Sequence, residues 1–222
     1  VTAGSVYLVG SSHGGTLREA FRRVDLGSTK PPRIATSYAA LAHAPADEAR
    51  QAMAIKKLFR LPGWVERFSV AGEDGATPPD EARAVVDRAD ILFFGGGDPV
   101  LASHRLVSAG ADVWIREARA RGVTCIGLSA GAIALGAFWG SWLEHEPDAD
   151  PTVVPCIGVV PDLVVDCHAE EDAWEELHAV QRGLGPRAKG MRFAGIASGA
   201  ALIVGADGAL EWIGTPHVLD AT

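Results

Sequence analysis

No stretch of this chain is dense in lysine or arginine, and that absence sets the first limit on function. With a formal charge of -8 at pH 7, a surface lacking a basic cluster offers neither nucleic acid nor an anionic membrane a favourable field. Small or peptide substrates fit such a surface better. Long apolar runs are missing too. The longest, Ile133 to Leu143, is interrupted by two glycines and a serine and is too short to cross a bilayer. The amino-terminal residues lack a cationic segment followed by an apolar one, so the expectation is a soluble, cytoplasmic protein without an export signal. Cysteine is scarce: Cys125, Cys156 and Cys167 are an odd number without CxxC spacing, and they are expected to be reduced and buried. The seven histidines show neither HxxxH spacing nor Cys/Asp partners at ligand spacing, so no metal and no other cofactor is expected. Repeats, low-complexity tracts and linkers are absent, and residues 1–222 read as one domain. Nothing in the pattern decides an oligomeric state.

What is present is a core. Hydrophobic residues make up 48% of the 222, enough to bury a sizeable interior. Apolar, β-branched runs alternate with amphipathic segments, the pattern of an α/β fold with a mostly parallel sheet and helices on both faces. The expected strands are Val6 to Val9, Arg33 to Ser37, Arg67 to Val70, Ile91 to Phe94, Thr124 to Leu128 and Leu163 to Cys167. Between the third and fourth lies a crossover helix with Thr77 as N-cap, Pro78 at the first position, and Ala82, Val85, Val86 and Ala89 on one face. "GAALIVGADGALEWIG" joins two apolar runs through Asp207-Gly208 and reads as a β-hairpin at the sheet edge.

Chemistry concentrates where strands end. In "TCIGLSAGAIALG" the strand 124–128 runs into a helix expected over 130–138, so Ser129 sits at the turn of a GxSxG. A tight turn there lifts the hydroxyl above the sheet, and the next N–H, that of Ala130, can face a developing oxyanion. The same pattern also serves as a helix N-cap serine. In "DILFFGGGDPVLASHRL" a buried strand meets three glycines, then Asp98-Pro99 as N-cap and first helical residue. Gly96 and Gly97 can complete an oxyanion hole; the alternatives are a plain tight turn or a phosphate loop, although the spacing matches neither GxGxxG nor GxxxxGK[ST]. His168 alone of the histidines ends an expected core strand, which brings it to the same carboxyl edge.

"FGGGDP", "GLSAGA" and "DCHAEEDAWEEL", in that order, resemble the S51 peptidase family, which includes aspartyl dipeptidase (peptidase E) and cyanophycinase. The resemblance runs from Val6 to about Gly214 and is anchored in these segments. It implies a sheet like that of class I glutamine amidotransferases, a flavodoxin-like arrangement, with Ser129 as nucleophile, His168 as base, and Gly96, Gly97 and Ala130 as oxyanion hole. The family's dipeptidase orients its histidine with a glutamate in a late GIxE segment. Here that segment is "AGIASGAALIV", and Ser198 stands at the glutamate's place. The expectation is therefore a Ser129-His168-Ser198 triad, in which a hydroxyl fixes the tautomer without a negative charge. Glu144, fifteen residues after Ser129, where the dipeptidase also carries an acid, ranks above Asp166 as a fourth participant.

The resemblance further implies a peptide substrate, but not the dipeptidase's preference for an amino-terminal aspartate. Where the family member carries an arginine after the histidine, this chain has Ala169-Glu170-Glu171-Asp172-Ala173-Trp174-Glu175-Glu176. Carboxylates facing the pocket repel an aspartate and favour a free α-amino group or a basic side chain. Asp98 and Glu171 are thus candidate substrate contacts. Arg182, with Arg187 and Lys189, is a candidate for a carboxyl-terminal carboxylate. Dipeptide hydrolysis leads; cyanophycinase-like action, carboxyl-end trimming, a catalytically silent binding protein and a nucleotide-binding module are the alternatives.

Overall fold

A computed structural model of the protein describes residues 2–11, 15–24, 32–41, 65–70, 75–142 and 149–219, with Ala49 and Met53. In chain order these form β1 (Val6–Val9), α1 (Thr16–Arg22), β2 (Ile34–Ser37), β3 (Val65–Arg67), α2 (Pro79–Asp87), β4 (Ile91–Phe94), α3 (Pro99–Ser108), α4 (Ala111–Ala120) and β5 (Thr124–Leu128). There follow α5 (Ala130–Leu135), β6 (Phe138–Ser141), β7 (Thr152–Pro155), β8 (Leu163–Cys167), α6 (Glu175–Leu184), β9 (Arg192–Ile196), β10 (Ala201–Val204), β11 (Leu210–Ile213) and β12 (His217–Leu219).

The central sheet has seven strands in the order β11-β10-β1-β5-β4-β2-β3. From β1 to β3 every pairing is parallel, while β10 and β11 add antiparallel beyond β1. Because successive side chains point to opposite faces, each strand feeds two cores. Val6, Leu8, Leu92, Phe94 and Cys125 join the larger one, and Tyr7, Val9, Ile91, Phe93 and Ile126 join a smaller one under Leu17 and Ala20 of α1. Strands buried on both faces read as unbroken apolar runs, which is why they were legible.

The Asp207-Gly208 hairpin forms as expected: Val204 pairs with Leu210, Gly208 takes φ 81°, and the Asp207 carboxylate accepts the Ala209 N–H at 3.0 Å. Three expectations need correction. The crossover helix starts at Pro79 with Pro78 as its cap residue, because the Thr77 hydroxyl donates instead to the Ser69 carbonyl. The third strand is Val65–Arg67; Phe68 and Val70 are buried by packing beyond its paired stretch. The helix after Ser129 ends at Leu135, and Phe138 already begins β6.

The largest departure concerns β8. Its boundaries are as expected, yet it lies outside the central sheet, parallel to β9 in a three-stranded sheet ordered β12-β9-β8. The place beyond β1 is taken by the hairpin. Main-chain contact fixes β8 behind the helix that follows the serine: the Ala137 N–H donates to Leu163 O at 2.8 Å, and a Cβ on Gly136 would stand 2.9 Å from that same oxygen. The carboxyl end of β8 still arrives beside those of β4 and β5. β12 carried no sequence signal and pairs with β9.

Candidate active site

Ser129 occupies a strained turn, with φ 52° and ψ -119°. A non-glycine residue held there costs on the order of 1–3 kcal/mol, so its surroundings must over-determine it. Its N–H donates to Val9 O at 2.8 Å, and its carbonyl accepts the N–H groups of Ala132 and Ile133 at 2.8 and 3.1 Å. Both glycines of GxSxG are required by close approach. A Cβ on Gly127 would stand 2.6 Å from Ala132 N, and one on Gly131 would collide with the Phe94 carbonyl and lie 2.8 Å from Gly95 O.

The glycine loop after β4 lies against this elbow. A Cβ on Gly96 would stand 3.5 Å from Ser129 Cβ and 3.9 Å from its Oγ. Gly97, at φ 143°, packs on the Ala40 carbonyl so closely that a side chain there would collide with it. Asp98 caps α3: its Oδ1 accepts from Val100 N at 2.8 Å and Leu101 N at 3.0 Å. Ala130 opens α5, so its N–H belongs to the first turn, where no intrahelical acceptor exists.

His168 closes the group from the second sheet. It too has a positive φ, 50°, and its N–H donates to Ile196 O at 2.9 Å. Its Nε2 lies 2.8 Å from Ser129 Oγ, hydrogen-bond distance for a hydroxyl donating to a neutral imidazole whose proton sits on Nδ1. Ser198 does not extend this line. Among the described residues its hydrogen bonds run to Glu170: the Ser198 N–H donates to Glu170 Oε1 at 3.0 Å, and its hydroxyl engages the same carboxylate. Burial alone would raise the Glu170 carboxyl; its own N–H, the Ser198 hydroxyl and N–H, and the His168 charge together hold it below the usual carboxylate value. A carboxylate close enough to feel the His168 charge thus stands beside Ser198.

The serine and histidine open into a cavity of about 420 Å³, walled by Gly97, Asp98, Ala130, Trp139, Trp142 and Glu176 among others. Trp139 and Trp142 meet edge to face, centroids 6.0 Å apart; Gly140 leaves room for the Trp142 ring, which any Cβ there would strike. Asp166 and Cys167 also line it. Cys167 is buried, and that burial, with Asp166 and Glu170 nearby, pushes its thiol well up.

Several expected contacts are not brought here. Glu171 is exposed and absent from the cavity wall; Glu170, beside it in the turn of 3-10 helix over Glu170–Asp172, is the residue that meets Ser198. Arg182 pairs with Asp150 at 3.2 Å, and Arg187 lies over the Phe138 ring at 5.4 Å; neither they nor Lys189 line the cavity. Glu144 lies outside the described residues. No group of three His, Cys, Asp or Glu side chains among the described residues is disposed to hold a metal ion.

The family model of Peptidase family S51 matches residues 73–210, a span that contains the glycine loop, the elbow, the histidine and Ser198. The chain belongs to peptidase family S51. Solved structures share its fold, two of them peptidases by description. A peptidase from an acI-B1 Actinobacterium superposes with a TM-score of 0.75 at 19% identity, covering 100% of this chain and 92% of that one. A putative peptidase E protein from Listeria monocytogenes EGD-e gives 0.65 at 17% identity, covering 98% and 100%. No curated protein sequence matches the chain. What this S51 chain adds to the sequence expectation is Glu170 and the two tryptophan walls. The only sequence signal for Glu170 was its place in an acidic run, where nothing separates it from Glu171.

Proposed function

We propose that this S51 chain is a serine peptidase of the peptidase E type that hydrolyses dipeptides or short peptides through an acyl-enzyme on Ser129, without restriction to amino-terminal aspartate. The observation that carries the reading is the 2.8 Å contact between Ser129 Oγ and His168 Nε2 on a strained elbow. Ser129 Oγ attacks the scissile carbonyl while its proton passes to His168 Nε2, giving a tetrahedral oxyanion. The N–H groups of Ala130 and of the Gly96-Gly97 loop are suited to receive that oxygen. Collapse returns the proton to the leaving amine and breaks the C–N bond, leaving an ester on Ser129. Water then attacks the ester by the same route. Glu170, held by Ser198, supplies the negative charge that favours imidazolium in both halves of the cycle. A cavity of about 420 Å³ suits a ligand of dipeptide size, and no Lys or Arg among its described lining residues would pair with an aspartate side chain.

The test is a mixed library of dipeptides and short peptides, incubated with the protein and with Ser129→Ala, the products being read by mass spectrometry. Turnover should fall about a million-fold in the variant, and a fluorophosphonate should label Ser129 in the parent alone. Products that persist in Ser129→Ala, or an unlabelled serine with no products, would refute the reading; the latter leaves a binding protein of the same fold.

A further inference from the structure

Among the described residues, four that are not glycine have a positive φ. Two are Ser129 and His168; the others, Ala173 at 57° and Trp174 at 65°, stand side by side where the turn bearing Glu170 runs into α6. The chemistry above gives that second pair no task. Left-handed backbone is unfavourable for a residue with a side chain and persists only where its surroundings over-determine it. A tryptophan on a regular turn of α6 could bury its ring without that cost. What the strained pair achieves is closure. The Trp174 N–H is shared between Ala169 O at 3.1 Å and Asp172 Oδ1 at 3.0 Å, which draws residues 169–174 into a compact loop that includes Glu170.

The indole decides where that loop rests. Asp166 of β8, Gly195 of β9 and His217 of β12 are register partners, so they form one row across the second sheet and share a face. Gly195, in the middle of the row, brings no side chain. The Trp174 ring fills the space it leaves: a Cβ on Gly195 would stand 2.5 Å from that ring. The ring also stacks on His217, with centroids 5.0 Å apart and planes at 20°, and Trp174 is 5% exposed. The anchor lies next to the groups it would steady. One residue along β9, Ile196 O accepts the His168 N–H, and Ser198 follows two residues later.

We propose that Trp174, seated on Gly195 and stacked on His217, is a positioning residue: it fixes the loop so that Glu170 meets Ser198 and lies close to His168. β12 thereby serves the site, although neither Trp174 nor His217 lines the cavity. The effect of Trp174 on turnover rests on the peptidase reading; its effect on the loop does not.

The experiment is amide exchange by NMR, with steady-state kinetics of peptide hydrolysis, on the parent, Trp174→Ala, Trp174→Phe and His217→Ala. In Trp174→Ala the Ser198 amide, whose N–H is held by Glu170, should exchange about ten-fold faster while the amides of β5 keep their rates. Its kcat should fall about ten-fold with KM within about two-fold. Trp174→Phe keeps a stacking ring and should recover most of both. Added to Glu170→Gln, Trp174→Ala should lower kcat little further, since the two act through one carboxylate. His217→Ala, at a partly exposed position on the edge strand, should speed the Ser198 amide about three-fold and serves where the larger deletion perturbs folding. An unchanged Ser198 amide, exchange that rises equally in β5, or a full loss of kcat on top of Glu170→Gln overturns the positioning role. A parent that turns over no peptide overturns the peptidase reading, while the Ser198 amide still decides what holds Glu170.

Discussion

Asp166→Asn offers a stability test whose size follows from the structure. Burial, the largest influence, together with Glu176 and Asp172, raises the Asp166 carboxyl from its ordinary 3.8 to about 7, against the opposing Cys167 N–H. The folded chain therefore holds this proton more tightly than the unfolded chain. Between the two values the folded state binds more protons, so stability falls as pH rises through that window. Below about pH 4 both states carry the proton; above about pH 7 neither does, and the folded state bears the whole cost. At 1.36 kcal/mol per pH unit over a gap of about 3, the cost is about 4 kcal/mol. Asparagine keeps an acceptor for the Cys167 N–H and cannot ionise. The variant should match the parent at pH 4 and exceed it at pH 8 by about 4 kcal/mol, which in a chain of this length is roughly 8–16 °C in Tm. Urea unfolding followed by tryptophan fluorescence at intervals from pH 4 to pH 8 measures the difference. A difference that does not change with pH would refute the assignment of a buried, unpaired carboxylate.

Two glycine substitutions separate fold from chemistry. Gly131→Ala drives a methyl into the Phe94 carbonyl and to 2.8 Å from Gly95 O, where only main chain could yield, and it should lower Tm by about 6–10 °C. Gly96→Ala meets ordinary contacts of 3.5 Å or more, so calorimetry should find Tm within about 2 °C of the parent. Its methyl faces Ser129 Oγ, and fluorophosphonate labelling should slow on the order of ten-fold. Glu170→Gln and Ser198→Ala should each reduce kcat on the order of ten-fold, and the double variant should lose little more than either alone, because both act through one carboxylate. Glu171→Gln, one residue along and exposed, should stay within about two-fold. Additive losses at 170 and 198 would separate the two residues.

The central strands were legible because burial on both faces makes them continuous apolar runs, as in "DILFFGGG". The elbow was legible for a different reason. The strand, the serine and the glycines that relieve its crowding are adjacent in sequence, so the local geometry and the residues that allow it appear together. Asp98 as a helix cap and the Asp207-Gly208 turn belong to the same class. In each, the donor and acceptor lie within a few residues.

What the sequence by itself determined is therefore the alternation of strand and helix, the strained turn at Ser129 and the glycine loop that faces it, since those depend on short-range sterics and on the period of apolar residues. Only the tertiary structure decided that β8 leaves the central sheet yet delivers His168 to the serine across 39 residues of chain. It alone turned Ser198 toward Glu170, 28 residues away, sent Arg182 to Asp150, and buried one oxygen of Asp166 without a hydrogen-bond partner among the described residues. These depend on which segments pack together and on what burial does to a charge, and neither quantity is carried by any local run of residues.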